Sequence, residues 1–286
     1  MRYFLMIIMM GVCGLMMAAD FDISKPQDHL NAFMRTRGDA SGKDVVYYWT
    51  GTVYSFIPGE KRRELFKFEG FNVARTIVKE SGFELLTREA AFFKDPITGE
   101  ILESWKNPFT GAEVPVVQIW NDPVNQDLDF PAEYLPYIKM MLPASDLGDD
   151  LAFYMDIFPF YPSVLPRKEF SEFSQHDTYQ AAEFFQFFVK KADLANKKLN
   201  TVPADISWTR ISPWMPFMRM GDREGNLVFV TRGTKLTNGW ADMPQHIKDY
   251  VEKHNPQYSK APTEFTEPNE TSWTYFRKLW EQGLIK

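Results

Sequence analysis

The chain has 286 residues, of which 44% are hydrophobic and 16% aromatic, enough large apolar surface for one sizeable core or a lined cavity. Its 38 acidic residues outnumber 32 basic ones, a balance that disfavours nucleic acid, whose binding needs basic side chains to neutralise phosphates. The one cysteine, Cys13, lies in the first apolar run, so a chain processed beyond it is expected to have no disulfide, no thiolate nucleophile and no cysteine-held metal.

Met1-Arg2-Tyr3 carries one positive charge and leads into an uncharged apolar run from Phe4 to Met17. Ala18 and Ala19 follow, then Asp20-Phe21-Asp22, so small residues stand where the run stops and acidic ones begin. This is the pattern of a signal peptide, residues 1–19, cut after Ala19, and it predicts a periplasmic or secreted protein. The alternative is a retained anchor, but about 14 apolar residues fall short of the roughly 20 that span a bilayer, so no stable membrane span is expected after cleavage. A lipid-modified Cys13 is a weaker alternative, because Met10-Gly11-Val12 is a poor lipidation motif.

Residues 20–243 read as one β-rich domain and 244–286 as a helical extension packed on it, with no Gly/Ser-rich linker between them. From Asp44 onward the pattern is alternation broken by turns. Apart from Gly51, residues 45–54 are β-branched or aromatic, and the run stops at the turn Ile57-Pro58-Gly59. Residues 63–77 and 83–93, separated by Glu80-Ser81-Gly82, form a hairpin pattern. Asp95-Pro96-Ile97-Thr98-Gly99 and Asn107-Pro108-Phe109-Thr110-Gly111 are turns beside short strands at 101–105 and 114–120. Further strands are expected at 151–160, 183–191, 206–210 and 227–232. The run 183–191 also fits one face of a helix, and periodicity does not settle so short a segment. About nine strands suit an antiparallel meander closed into a barrel, which leaves no exposed edge. Helices are expected at 244–253 and 271–282, the second placing Trp273, Phe276, Leu279 and Trp280 on one face.

Several segments share the motifs of a known family: Trp49-x-Gly51, Phe68-Glu69-Gly70-Phe71-Asn72, Leu86-Thr87-Arg88-Glu89, Asp95-Pro96-Ile97-Thr98-Gly99, Trp105-x-Asn107-Pro108, the run from Asn121 to Asn125, and the run from Ser207 to Trp214. Together they resemble the family catalogued as domain of unknown function 1838. That resemblance implies an often exported protein and supplies no catalytic residues.

No Gly-x-Ser-x-Gly elbow, His-Glu-x-x-His pair, Walker loop or Rossmann glycine pattern is present, and no cofactor is expected. The four histidines are scattered without a carboxylate cluster at ligand spacing, so no metal is expected. The segment Asn121 to Asp129 offers oxygens at alternating spacing, but it lacks the glycine turn and terminal glutamate of a calcium loop and reads better as turns.

The informative residues are charges inside strands, because a buried charge is costly without a partner. Both faces of residues 83–93 are largely apolar, so either Arg88 or Glu89 points inward. In 63–77 the better apolar row puts Asn72 inside and Glu69 and Arg75 outside. Ile206, Trp208 and Arg210 share a face, whereas Asp156 lies opposite Met155 and Ile157. An aromatic pocket is thus expected in which Tyr47, Tyr54, Asn72, Arg88, Trp208, Arg210 and Trp214 bind a small apolar or amphipathic molecule. The competing reading is that Arg88, Glu89 and Arg210 form structural ion pairs or face water. A cofactor-independent isomerase, lyase or cyclase is the alternative function, with Glu89 or Asp156 as acid or base and an arginine stabilising negative charge. Oligomeric state is not fixed by these patterns.

Overall fold

The computed structural model describes residues 21–285, so the expected leader lies outside the described residues. The first element, α1 (Pro26–Arg37), is a helix that strand alternation does not announce. It starts at Pro26, where the missing N–H would have had no helical partner anyway. Leu30, Phe33 and Met34 then give it one buried face.

Three long strands follow, β1 (Val45–Phe56), β2 (Arg63–Val78) and β3 (Gly82–Lys94). Each is rich in aromatic or β-branched residues, and they pair as an antiparallel meander. The next strands are short: β4 (Ser104–Lys106), β5 (Glu113–Pro115), β6 (Ile119–Asn121) and β7 (Gln126–Asp129). The turns around them behave as their composition predicts, with Gly99 and Gly111 at positive φ and Asp95 accepting from the backbone N–H groups of Ile97 and Thr98 at 2.8 Å each.

After a one-turn helix, α2 (Ile138–Met141), come β8 (Ala144–Leu147), β9 (Asp150–Ile157), β10 (Phe160–Pro162), β11 (Thr178–Gln180) and β12 (Ala182–Lys190). The segment that fitted both helix and strand is the strand β12. It hydrogen-bonds to a neighbour on each side, and that pairing outweighs its helical periodicity. The short α3 (Lys191–Ala195), then β13 (Asp205–Ser212), β14 (Asn226–Lys235), α4 (Gln245–His254) and α5 (Ser272–Glu281) complete the chain.

The main sheet is antiparallel throughout, in the order β6-β3-β2-β1-β14-β13-β12-β9-β8, with β7 also on β3. The expected closure into a barrel is not seen: among the described residues no pairing joins the β6/β7 edge to β8. The edge strands are only three or four residues long, and α1 occupies the space between the two limbs. Its Phe33 packs 6.4 Å from Phe83 of β3, 5.3 Å from Phe153 of β9 and 6.0 Å from Phe187 of β12, ring centre to ring centre. The open sheet is nevertheless tightly rolled. Phe68 of β2 lies 6.3 Å from Trp208 of β13, although three strand spacings in a flat sheet would separate them by about 14 Å.

Alternation gives the roll two apolar faces. The inner face carries Phe66, Phe68, Phe93 and Phe229, while the outer face of β2 and β3 carries Phe71, Val73 and Phe92 beneath Ile247 and Val251 of α4. Glu69 is on that outer face, as its row predicts, yet it is buried rather than solvated. Tyr48, Lys94 and His246 all hydrogen-bond to its carboxylate, which makes burial tolerable. Arg75 pairs with Asp44 at 2.7 Å. At one end of the roll α5 sets Trp273 against Tyr179 and Phe276 against Phe173, so both C-terminal helices pack on the sheet. Among the described residues no helix is long and apolar enough to cross a membrane.

Candidate functional site

Inside the roll is a cavity of about 270 Å³. Strand alternation decides what faces it: Tyr47 and Trp49 from β1, Asn72 from β2, Thr87 and Glu89 from β3, and Glu183 and Phe185 from β12. Ile206, Trp208 and Arg210 of β13 continue the wall, and Ser272 lies at the start of α5. Gly70 makes room for the Trp49 indole. A Cβ there would stand 2.8 Å from Trp49 Nε1 and 2.7 Å from the Ala91 Cβ, closer than atoms pack.

Register assembles the polar groups in two sets, one on each limb. On the first limb Glu89 lies directly opposite Asn72 on one neighbouring strand and Asn121 on the other. Asn121 Nδ2 donates to Glu89 Oε1 at 3.3 Å, and Asn72 Nδ2 donates to the Arg88 carbonyl at 3.3 Å. Burial, reinforced by the negative charge of Glu183, pushes Glu89 up to about 7 against the pull of Arg210, Asn121 and Arg37. Its remaining open surface faces the cavity.

On the second limb Arg210 is opposite Glu183, with Nε 3.6 Å from Glu183 Oε1. Arg210 Nη2 donates to the Tyr179 hydroxyl at 2.6 Å, and the Trp208 indole donates to Glu183 Oε2 at 3.1 Å. The guanidinium lies between the rings of Phe229 and Trp273, at 5.8 and 5.4 Å from their centres. Burial disfavours the Arg210 charge, but Tyr179, Glu183 and Glu89 more than offset it. Burial likewise raises Tyr179 and takes Tyr161 to about 12, so both remain phenols. The set combines a carboxyl raised toward neutrality with a fixed cation in a chamber lined by both aromatic and polar side chains.

Of the residues expected to form a pocket, Tyr47, Asn72, Glu89, Trp208 and Arg210 line this cavity together. Four others do not. Arg88 points to the outer face, where Nε donates to Asp122 at 2.7 Å and the side chain ties down the carbonyls of Gln257 and Lys260. Asp156 is exposed on the outer face of β9, opposite Met155, so no aromatic chamber surrounds it. Tyr54 lies on the outer face of β1 under Arg62, 4.8 Å from its ring centre. Trp214 is core: it packs on Phe109, and its indole donates to the Arg223 carbonyl at 3.0 Å.

The structure adds Arg37, Trp49, Asn121, Tyr179 and Glu183 to the lining. Glu183 belongs to the strand whose faces periodicity left open, and Arg37 ends the unannounced helix. Of the added residues, two had a local signal, Trp49 in the motif Trp49-x-Gly51 and Asn121 as the residue before the turn Asp122-Pro123. Among the described residues no three His, Cys, Asp or Glu side chains group as a metal site. The Asn121–Asp129 segment uses its oxygens internally, Asn125 Oδ1 accepting from the Thr87 N–H at 3.0 Å.

Comparison with the curated proteins returns no match to this chain. The family described as "Protein of unknown function (DUF1838)" matches residues 42–280, from just before β1 to the last turn of α5. That span covers most of the chain and both polar sets, though not Arg37, and the chain therefore belongs to this family of unknown function.

Proposed function

We propose that this chain is an exported protein that holds a small, mostly apolar molecule in the rolled-sheet cavity, its polar groups facing the polar lining of Arg37, Glu89, Asn72, Asn121 and Arg210. The observation that carries this reading is the chamber itself. Its walls are aromatic, and its lining side chains include Trp49 Nε1, Asn72 Oδ1, Asn121 Oδ1 and Arg210 Nε, buried polar atoms with no hydrogen-bond partner among the described residues. Each such atom costs about 1–3 kcal/mol, a penalty tolerated where a ligand or water organises the site. Native mass spectrometry of protein purified from its own host tests the proposal. A reproducible added mass, lost in an Ile206→Trp variant that fills the chamber, is expected; a clean apo mass contradicts a tight carrier. The export half of the proposal rests on the run from Met1 to Ala19, and an intact Met1 on protein from the envelope fraction contradicts it.

One observation favours a second reading, cofactor-independent acid–base catalysis of an isomerase, lyase or cyclase type. Glu89 titrates at about 7, where a carboxyl both takes and gives a proton, and Arg210 is placed to stabilise developing negative charge. Asp156 drops out of this reading. A carrier returns its ligand unchanged after incubation, whereas an enzyme returns a rearranged or cleaved molecule and loses that ability in Glu89→Gln.

A further inference from the structure

The charged groups of the cavity are not all paired, and the unpaired cation is Arg37. Arg210 has Glu183 and Tyr179. Glu270, at the mouth, pairs with Lys278. Arg37, the last residue of α1, is 6% exposed and has no carboxylate in ion-pair contact among the described residues. Its Nη2 makes one long hydrogen bond to Gln126 Oε1 at 3.5 Å, and its Nε has no partner. The guanidinium is held instead by aromatic faces, 4.8 Å from the centre of Phe187 and 5.5 Å from that of Tyr47. The other basic side chain near it, Lys235, is pushed well below the ordinary lysine value by burial and by Arg37, and lies 5.6 Å from the centre of the Tyr47 ring. There it donates to the carbonyls of Arg35 and Gly38 and to the Thr201 hydroxyl, so its donors are spent on the end of α1.

A buried guanidinium without a counter-charge is unfavourable, and an anionic partner arriving from outside relieves that cost. Glu89 is near enough to feel Arg37 but makes no ion pair with it.

We infer that the ligand is a monocarboxylate with an apolar body, its carboxylate paired with Arg37 and its body lying along Phe185, Ile206 and Trp208. This deepens the proposed binding function and rests on it. An arginine suits a carboxylate because two parallel N–H groups meet its two oxygens. The two aromatic rings, set edge to face at 75°, hold the fork before the ligand arrives, which lowers the ordering cost of binding. Neutral alcohols and ketones of the same shape leave Arg37 unmatched.

The test uses full-length mature protein and a pair of probes of one shape, 2-naphthoate and the neutral ketone 2-acetonaphthone, titrated by calorimetry at pH 6.5. Wild type is expected to bind both, the acid at least about tenfold more tightly, as a charge-assisted pair requires. Arg37→Gln should remove that preference and leave the ketone affinity within about threefold, whereas Arg37→Lys should retain part of it. Thermal melts show whether each variant is folded, and the wild-type comparison stands even if Arg37→Gln is not. Equal affinity of the two probes for wild type, or an equal loss of both in Arg37→Gln, overturns the carboxylate assignment while the cavity reading survives. Failure of both probes to bind contradicts the cavity reading and takes the assignment with it.

Discussion

Burial and the neighbouring Glu183 charge lift Glu89 to about 7, so the folded chain holds a proton there over a pH range in which the unfolded chain has lost it. The groups facing it are Arg37 from α1, Glu183 from β12, Arg210 from β13 and Asn121 from β6. A carboxyl with a raised folded value contributes fully below its unfolded value near 4.5, and the contribution is lost as pH rises through about 7. Glu89→Gln is therefore expected to stabilise the protein at pH 8 by up to about 3 kcal/mol and to change little at pH 4. Chemical denaturation at the two pH values checks this, and an equal effect at both contradicts it. Glu69 behaves oppositely. Burial would raise it, but hydrogen bonds from Lys94, Tyr48 and His246 win and hold it below the usual carboxylate value. Its contribution is present above the unfolded value and lost as pH falls through the folded one, so Glu69→Gln is expected to cost about 3 kcal/mol at pH 7 and progressively less below pH 4. Urea titrations across that range measure the difference. Both residues sit in alternating strands, and the alternation of β2 separates Asn72 from Glu69 correctly. In β3 both rows are apolar because both faces of the sheet are covered, so only the fold shows that Glu89 faces the chamber and Arg88 the outer helices.

Among the elements, α1 has more effect than its length suggests. It bridges the two limbs through Phe33, supplies Arg37, and accepts the Tyr47 hydroxyl on the Thr36 carbonyl at 2.5 Å. Phe33→Ala is expected to cost about 3–4 kcal/mol and to weaken binding of any cavity ligand, because the walls separate where the ring is removed. Thermal melts with and without 2-naphthoate check both effects, and a melt unchanged from wild type contradicts the bridging role. This helix was legible in principle, with Pro26 in its first turn and Leu30, Phe33 and Met34 at helical spacing, but its single short apolar stripe is easily lost between a leader and a strong strand pattern. The long strands were legible for the converse reason, since eight or more alternating residues bounded by Pro-Gly turns admit few other structures. For β12, four phenylalanines in five residues satisfy helix and strand equally, and only its two neighbours decide.

Across the whole molecule, a mainly β, antiparallel fold follows from sequence, but strand number and closure do not: about nine strands are expected and fourteen form among the described residues. Closure depends on whether the edge strands are long enough to pair, and β6, β7 and β8 are too short. The sheet instead rolls until its limbs touch through aromatic rings, and α1 and α5 fill the openings, leaving a chamber of about 270 Å³ with a carboxyl on one limb and an arginine on the other. That chamber is the centre of the functional proposal. The most direct test is a crystal structure of the protein purified from its own host without added ligand. Density for a bound organic molecule is expected between Glu89 and Arg210, with an acidic group on Arg37. A chamber collapsed onto its own side chains, or one holding only ordered water, would contradict the account.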